Sequence, residues 1–300
     1  MKVLWIFAHP EQRSLNASLM REGLRELAEA GHETRVSDLY AMGWKAVLDA
    51  ADLRPAPTGT SGTDSPADGG PRLLVGAGQE RAYATDTQPE DVRAEQRKIA
   101  WADTLVCHFP LWWFGPPAVL KGWFDRVLVQ GFAFGLHGAD GRPLRYGDGG
   151  LSGRRALVVT SVGARAPGFG PRGIHGYVGD VLWPLLHGTF WYTGMAPHEP
   201  FVVYGADRLT AEEYGGYASA LRARLRALPQ EAPIGFRSER GGDYDETLTL
   251  RPSIEPGASG PAVHERRPVR TSPPVRPTPR SAARPATAPA ASRSADWCSR

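Results

Sequence analysis

The residues able to do chemistry in this chain of 300 residues gather in three short stretches, each following a run of apolar side chains. In Ala8-His-Pro-Glu-Gln-Arg-Ser-Leu-Asn16, a serine and an asparagine stand where a helix begins. Free backbone N–H groups at a helix start can hold an anion such as a phosphate, although the plainer use of Ser14 is as an N-cap. In Pro110-Leu-Trp-Trp-Phe-Gly-Pro-Pro117, aromatic rings crowd a turn that solvent alone does not require. Such a wall suits a flat aromatic ligand, or equally a core or subunit contact. The third stretch runs from Ser161-Val-Gly-Ala164 to Phe169-Gly-Pro-Arg-Gly-Ile-His-Gly176. His175 is its titratable group, and histidine is the side chain whose charge changes nearest neutral pH, although a lone histidine is more often structural. Gly168 to Gly173 has the form G-x-G-x-x-G, but it is displaced from its strand and interrupted by Pro171, so it is not assigned as a dinucleotide fingerprint.

These loops need elements to hold them. Lys2 to Ala8 is a continuous apolar run of strand length, the pattern of a strand buried on both faces. Leu15, Leu19, Met20, Leu24, Leu27 and Ala28 recur at helical spacing between Ser14 and Ala30, and Glu33 to Val36 starts a second strand. A helix from Pro89 to Trp101, a strand from Thr104 to Phe109 and a helix from Pro116 to Val129 follow. Strands at Arg155–Ser161 and Phe201–Tyr204 come next, with a helix over Ile174–His187 between them and a closing helix over Thr210–Leu228. The charges of Lys121, Asp125 and Arg126 are assigned to solvent or a subunit contact, and Arg222, Arg224 and Arg226 to a solvated face. Five strands alternating with helices predict an open, doubly wound α/β sheet over residues 1–230, with ligands outside the carboxyl ends of its strands. Residues 54–89 are too rich in Pro and Gly for a packed element and read as a long surface loop. Residues 251–300 hold ten Pro and one aromatic residue, Trp297, too little apolar surface to offset the entropy of ordering.

Composition excludes several classes of function. Net charge is +3, yet residues 1–250 carry 26 Lys+Arg against 29 Asp+Glu, so the basic excess belongs to the tail and the body offers no footprint for nucleic acid. No apolar stretch approaches the ~20 residues of a bilayer span, and the first apolar run is too short for a secretory signal, so no integral membrane segment and a cytoplasmic location are expected. Cys107 and Cys298 make neither a disulfide framework nor a metal-ligand spacing, and no metal is expected. P-loop, H-E-x-x-H and G-x-S-x-G motifs are absent.

Taken together the segments resemble the NAD(P)H dehydrogenase (quinone) family of flavodoxin-like flavoproteins. The resemblance rests on Phe7-Ala-His-Pro10 with Ser14 and Asn16, Ser37-Asp-Leu-Tyr-Ala-Met42, Phe109-Pro-Leu-Trp-Trp-Phe-Gly115 with Leu120-Lys-Gly-Trp-Phe124, and Gly173-Ile-His-Gly176 with Leu182-Trp-Pro184. It implies a flavodoxin-like, doubly wound, five-stranded parallel sheet in the order 2-1-3-4-5 with helices on both faces. Residues 1–237 would form the flavin-binding domain and 238–300 a disordered tail. By position, flavin phosphates would meet His9, Ser14, Leu15 and Asn16, and the isoalloxazine would lie against Pro110, Leu111, Trp112, Trp113 and Phe114. Ser161, Val162, Gly163 and Ala164 would offer N–H groups to the ring edge that becomes negative on reduction.

In the same resemblance His175 faces the quinone as the catalytic residue. The chain departs from its family nearby, because the tyrosine that precedes this histidine by six positions is Phe169 here, and two pocket tyrosines are Phe134 and Leu136. These three would line a greasier substrate pocket, leaving proton delivery to His175 or water. Trp112 also stands where some relatives carry a polar side chain. The implied cofactor is FAD, with FMN as the alternative, and NAD(P)H is the co-substrate of a ping-pong hydride transfer to a quinone. A homodimer is implied, with aromatic surface near Trp123, Trp183 and Trp191 and with the second subunit completing the acceptor pocket. Similar domains also serve as regulatory flavoprotein subunits of potassium-efflux transporters or reduce azo and nitro compounds, and these are the alternative readings.

Overall fold

A computed structural model describes residues 1–53 and 73–266. Its centre is the parallel sheet, in which β1 (Lys2–Phe7) lies between β2 (Glu33–Asp38) and β3 (Thr104–Pro110), and β3 pairs with β4 (Arg155–Val162). Because alternate strand residues face opposite ways, β1 feeds two cores at once. Val3, Trp5 and Phe7 enter one, while Leu4 and Ile6 enter the other. The edge beyond β4 is one broken strand, with β5 (Ala196–Pro197) pairing to Arg155 and Ala156 and β6 (Phe201–Tyr204) pairing to Val159 through Val162. Pro197 is tolerated there because an edge strand can spare an N–H. The strand order is therefore the expected one, with the fifth strand interrupted.

One face carries α1 (Leu15–Glu29), capped by the Ser14 hydroxyl accepting from the Ala17 amide, and α7 (Ala211–Ala227), which starts in a Thr210/Glu213 capping box. The arginines of α7 are not a free solvated face. Arg222 pairs with Glu22 at 2.6 Å and Arg226 with Glu26 at 2.7 Å, tying α7 to α1, while Arg224 pairs with Glu231 at 2.8 Å. On the other face lie α3 (Glu90–Trp101) and α4 (Ala118–Val127). Arg126 of α4 is buried rather than solvated, with Asp52 2.6 Å and Asp91 2.7 Å away and the Trp44 ring under its guanidinium.

Three boundaries differ from expectation. The stretch 54–89 is not one loop, for it contains α2 (Val75–Ala84), held by Gln79 donating to the Asp125 carbonyl. Gly76 and Gly78 weaken its helical signal, and tertiary contact restores it; residues 54–72 lie outside the described part. The stretch 174–187 is helical only in short pieces, α5 (Val178–Val181), α6 (Trp183–Leu185) and a π turn over Leu186–Trp191, because Gly176 takes a left-handed φ of 80°. The body also does not end at 237. Residues 238–266 pack as part of the compact unit Met1–Arg266, anchored by buried Arg237, which donates to the Val263 carbonyl and pairs with Asp243 and Glu255. Counting apolar residues misses such an anchor because it is polar. The remainder of the tail, 267–300, lies outside the described residues. Among the described residues no helix is long and apolar enough to cross a membrane, and no cluster of metal-ligand type is present.

Candidate functional site at the carboxyl edge of the sheet

The loops after β1, β3 and β4 meet because their strands are neighbours, and hydrogen bonds lock the meeting. The Ala8 amide donates to the His108 carbonyl at 2.9 Å, and the Leu111 amide to the Ser161 carbonyl at 2.9 Å. Beneath them Asn16 is buried, with its Nδ2 donating to Ser161 Oγ at 3.0 Å and its Oδ1 3.2 Å from His108 Nε2. An amide oxygen only accepts, so His108 carries its proton on Nε2 and is neutral. Burial, and then the charge of His9, pushes its pKa down to about 3. The side chain of Asn16 therefore faces inward instead of toward a ligand, and what Asn16 offers outward is its backbone N–H in the first turn of α1.

His9 stands at the rim of that turn. Its Nδ1 lies 3.0 Å from the Glu11 amide and 3.2 Å from the Glu11 carbonyl, which ties the ring back onto its own loop and leaves Nε2 without a partner among the described residues. Partial burial lowers its pKa against the opposing pull of Glu11. The backbone N–H groups of Leu15 and Asn16, without a partner among the described residues, and the His9 ring beside them form a cradle that can hold an anion.

The aromatic turn is conformationally costly. Trp112 and Gly115 exchange two backbone hydrogen bonds of 3.0 Å across Trp113 and Phe114, which take left-handed φ values of 49° and 60°. Such turns normally use Asn-Gly, and each bulky residue held there costs on the order of 1–3 kcal/mol. Trp113 is 97% exposed. Phe114 reaches across to the third loop, with its ring 6.2 Å from Phe169 and 5.9 Å from His175. Phe169 in turn lies 4.9 Å from the His175 ring and 6.0 Å from Tyr204.

The glycines around His175 serve packing. A Cβ on Gly168 would lie 2.8 Å from His175 Cδ2, and one on Gly173 would lie 2.1 Å from the Gly168 carbonyl oxygen. The turn of β4 is held by its carbonyls, since Gly163 O accepts from Arg208 at 2.8 Å and Ala164 O from the Gly205 amide at 2.9 Å. In a planar trans peptide the N–H points opposite the C=O, so the Ala164 and Arg165 amides are turned away from those partners.

Phe134 and Leu136 do not join this cluster. Phe134 packs 6.3 Å from Tyr192, which meets Tyr146 at 5.2 Å, and Leu136 lies against Gly150. Within one chain they therefore line a different surface from Phe169 and His175. Sequence reasoning missed Tyr204, whose only signal is its place as the last residue of the final strand, opposite Val162. It also missed His108, hidden inside a strand. Trp123 is fully buried in the core and presents no surface, while Trp183 and Trp191 pack against that core and stay partly exposed.

A parallel sheet in this order, with an anion cradle, an aromatic wall and fixed amides at its carboxyl edge, defines a flavodoxin-like protein. A family model of the flavodoxin-like fold matches residues 1–225. The chain belongs to the NAD(P)H dehydrogenase (quinone) family within that fold. It is 41% identical to a ribosyldihydronicotinamide dehydrogenase-like protein of Penicillium crustosum over 276 residues, covering 91% of this chain and 98% of the relative. It is 36% identical to the ribosyldihydronicotinamide dehydrogenase [quinone] of Homo sapiens, covering 78% of this chain and 94% of that one. A crystal structure described as a candidate quinone reductase from Klebsiella pneumoniae superposes with a TM-score of 0.81 at 44% identity, covering 88% of this chain and 99% of that one.

Proposed function

We propose that this chain is a flavin-dependent NAD(P)H:quinone oxidoreductase that uses FAD, works by ping-pong two-electron transfer and acts as a homodimer. The observation that carries the reading is the costly left-handed turn that holds Trp113 and Phe114 at the sheet edge, facing the His175 loop and beside the α1 cradle. Strain of that kind persists where a site needs it. The donor set fits a flavin, with neutral N–H groups for its phosphates and apolar rings for its isoalloxazine. Bound flavin supplies the hard chemistry, accepting a hydride from NAD(P)H and returning it to a quinone.

The protein's own residues do the rest. Leu15, Asn16 and His9 would bind the phosphates, and Pro110 to Phe114 would seat the ring. Amides of the Ser161–Ala164 loop would face the negative charge that develops on reduction, preset so that no reorganisation is needed. His175 has both ring nitrogens without a hydrogen-bond partner among the described residues, so its imidazole is free to give a proton to the quinone oxygen. Phe169 cannot share that task, and Tyr204, whose hydroxyl is kept protonated by burial and then by neighbouring tyrosines, packs on it instead. Exposed Trp113 and Ile174 at the rim are apolar surface that a second subunit would cover.

The test is anaerobic visible absorbance of the purified protein, with NADPH added first and a benzoquinone second, followed by chromatography of the released cofactor. Bleaching of a flavin band and its rapid return with quinone are expected, with FAD released and a dimer in light scattering. A protein that takes up neither FAD nor FMN would overturn the reading.

A further inference from the structure

A second cavity lies away from the flavin edge, between the Trp183–His187 segment and the chain beyond residue 236. Its volume is about 310 Å3, within the ~300–1,000 Å3 of small-molecule sites. Its walls are flat rings. His187 stacks on Trp183 at 4.1 Å and 10°, Tyr244 stacks on His264 at 14°, and Tyr146 leans on His187 at 5.1 Å. Leu248 is at the rim and is 43% exposed.

The polarity of the cavity is specific. Its fixed charges are already paired, Arg237 with Asp243 and Glu255, and Glu239 with Arg145 at 2.6 Å, so no net charge is left for an ionic ligand. The imidazoles are what remains. The His187 imidazole makes no hydrogen bond among the described residues, and burial, then His264, pushes its pKa down to about 4. His264 has Nδ1 bonded to the Tyr244 hydroxyl at 2.9 Å, which leaves Nε2 open. Tyr146 and Leu248 are both held at left-handed φ, 48° and 65°. Trp113 and Phe114 of the aromatic turn share that conformation.

We propose that this cavity is a second binding site, for neutral, planar, fused-ring phenols, with the ring between the aromatic walls and its hydroxyl on the free nitrogens of His187 and His264. Five of the residues that line it, Arg237, Glu239, Tyr244, Leu248 and His264, follow residue 225, where the family match ends. The site is thus built largely outside the part of the chain that the fold's family model matches, and it is independent of whether the flavin edge reduces quinones.

The experiment is calorimetric titration of the flavin-loaded protein with 2-naphthol at neutral pH. One saturable site per protomer is expected. Leu248→Trp, which fills the cavity from its exposed rim, should weaken binding at least about tenfold with the flavin spectrum unchanged, whereas His175→Ala should leave it within about twofold. Tyr244→Phe, which keeps the ring but removes the hydroxyl that orients His264 through Nδ1, gives a second reading of the same wall and should weaken binding as well. Absence of saturable binding overturns the proposal. So does binding that survives both cavity variants or disappears in His175→Ala, because the naphthol then sits at the flavin edge.

Discussion

In the proposed mechanism turnover rests on His175, which brings an imidazole without a partner among the described residues to the same edge as Phe114 and Phe169. His175→Ala should keep its flavin and lose about 10²-fold in quinone reoxidation rate, the usual scale of one general acid. Stopped-flow reoxidation measures this, and an unchanged rate removes the residue from the mechanism. Gly168 supports it from behind. Gly168→Ala forces a Cβ to 2.8 Å from the imidazole and should slow the same half-reaction while flavin content stays constant. Gly170→Ala, whose new Cβ would meet only the Pro167 carbonyl at 3.4 Å, is the matched control and should behave like the parent.

At the scale of elements, two devices hold the site's frame. The turn Trp112–Gly115 gives up conformational comfort for an exposed aromatic wall. Replacing Trp113-Phe114 by Asn-Gly, the residues such a turn prefers, should raise the melting temperature of the flavin-free protein and weaken flavin binding. Calorimetry and a flavin titration read the two effects, and tighter flavin binding in this variant would contradict the assigned role. The second device is Arg126, which joins α4 to Asp52 and Asp91 from within the core. Arg126→Met removes the buried partner of Asp52 and leaves it only Lys45 at 3.0 Å and the Asp49 amide, so urea unfolding should show a loss of about 3 kcal/mol, the low end for a broken buried pair. The helices α3 and α4 were readable from their spacing, but these cross-links were not. Arg126 and Arg222 look like ordinary helix-surface charges until their partners, far away in the chain, fold against them.

For the molecule as a whole, buried imidazoles set the response to acid. His198 is fully buried, has no hydrogen-bond partner on either nitrogen, and lies 3.9 Å from Glu231. Burial, then Arg224 and Arg155, lowers its pKa from 6.5 to about 4. The folded state therefore resists a proton that the unfolded chain accepts below pH 6.5. Stability is complete above that pH and falls as the pH drops from 6.5 toward 4. His198→Leu should flatten the melting temperature across that window, and an unaltered slope would assign the acid sensitivity elsewhere.

The sequence by itself determined the alternation of buried strands and amphipathic helices, the Ser14 cap and the three loops at the carboxyl edge. All of these are written in spacing over a few residues, because strand and helix periodicity and capping are local physics. Only the tertiary structure decided that Asn16 turns inward to bridge His108 and Ser161, that Phe134 and Leu136 lie apart from His175, and that residues 238–266 belong to the body. Each of those outcomes depends on which remote group satisfies a buried polar atom or covers a ring, and a partner scores of residues away leaves no periodic mark on the chain.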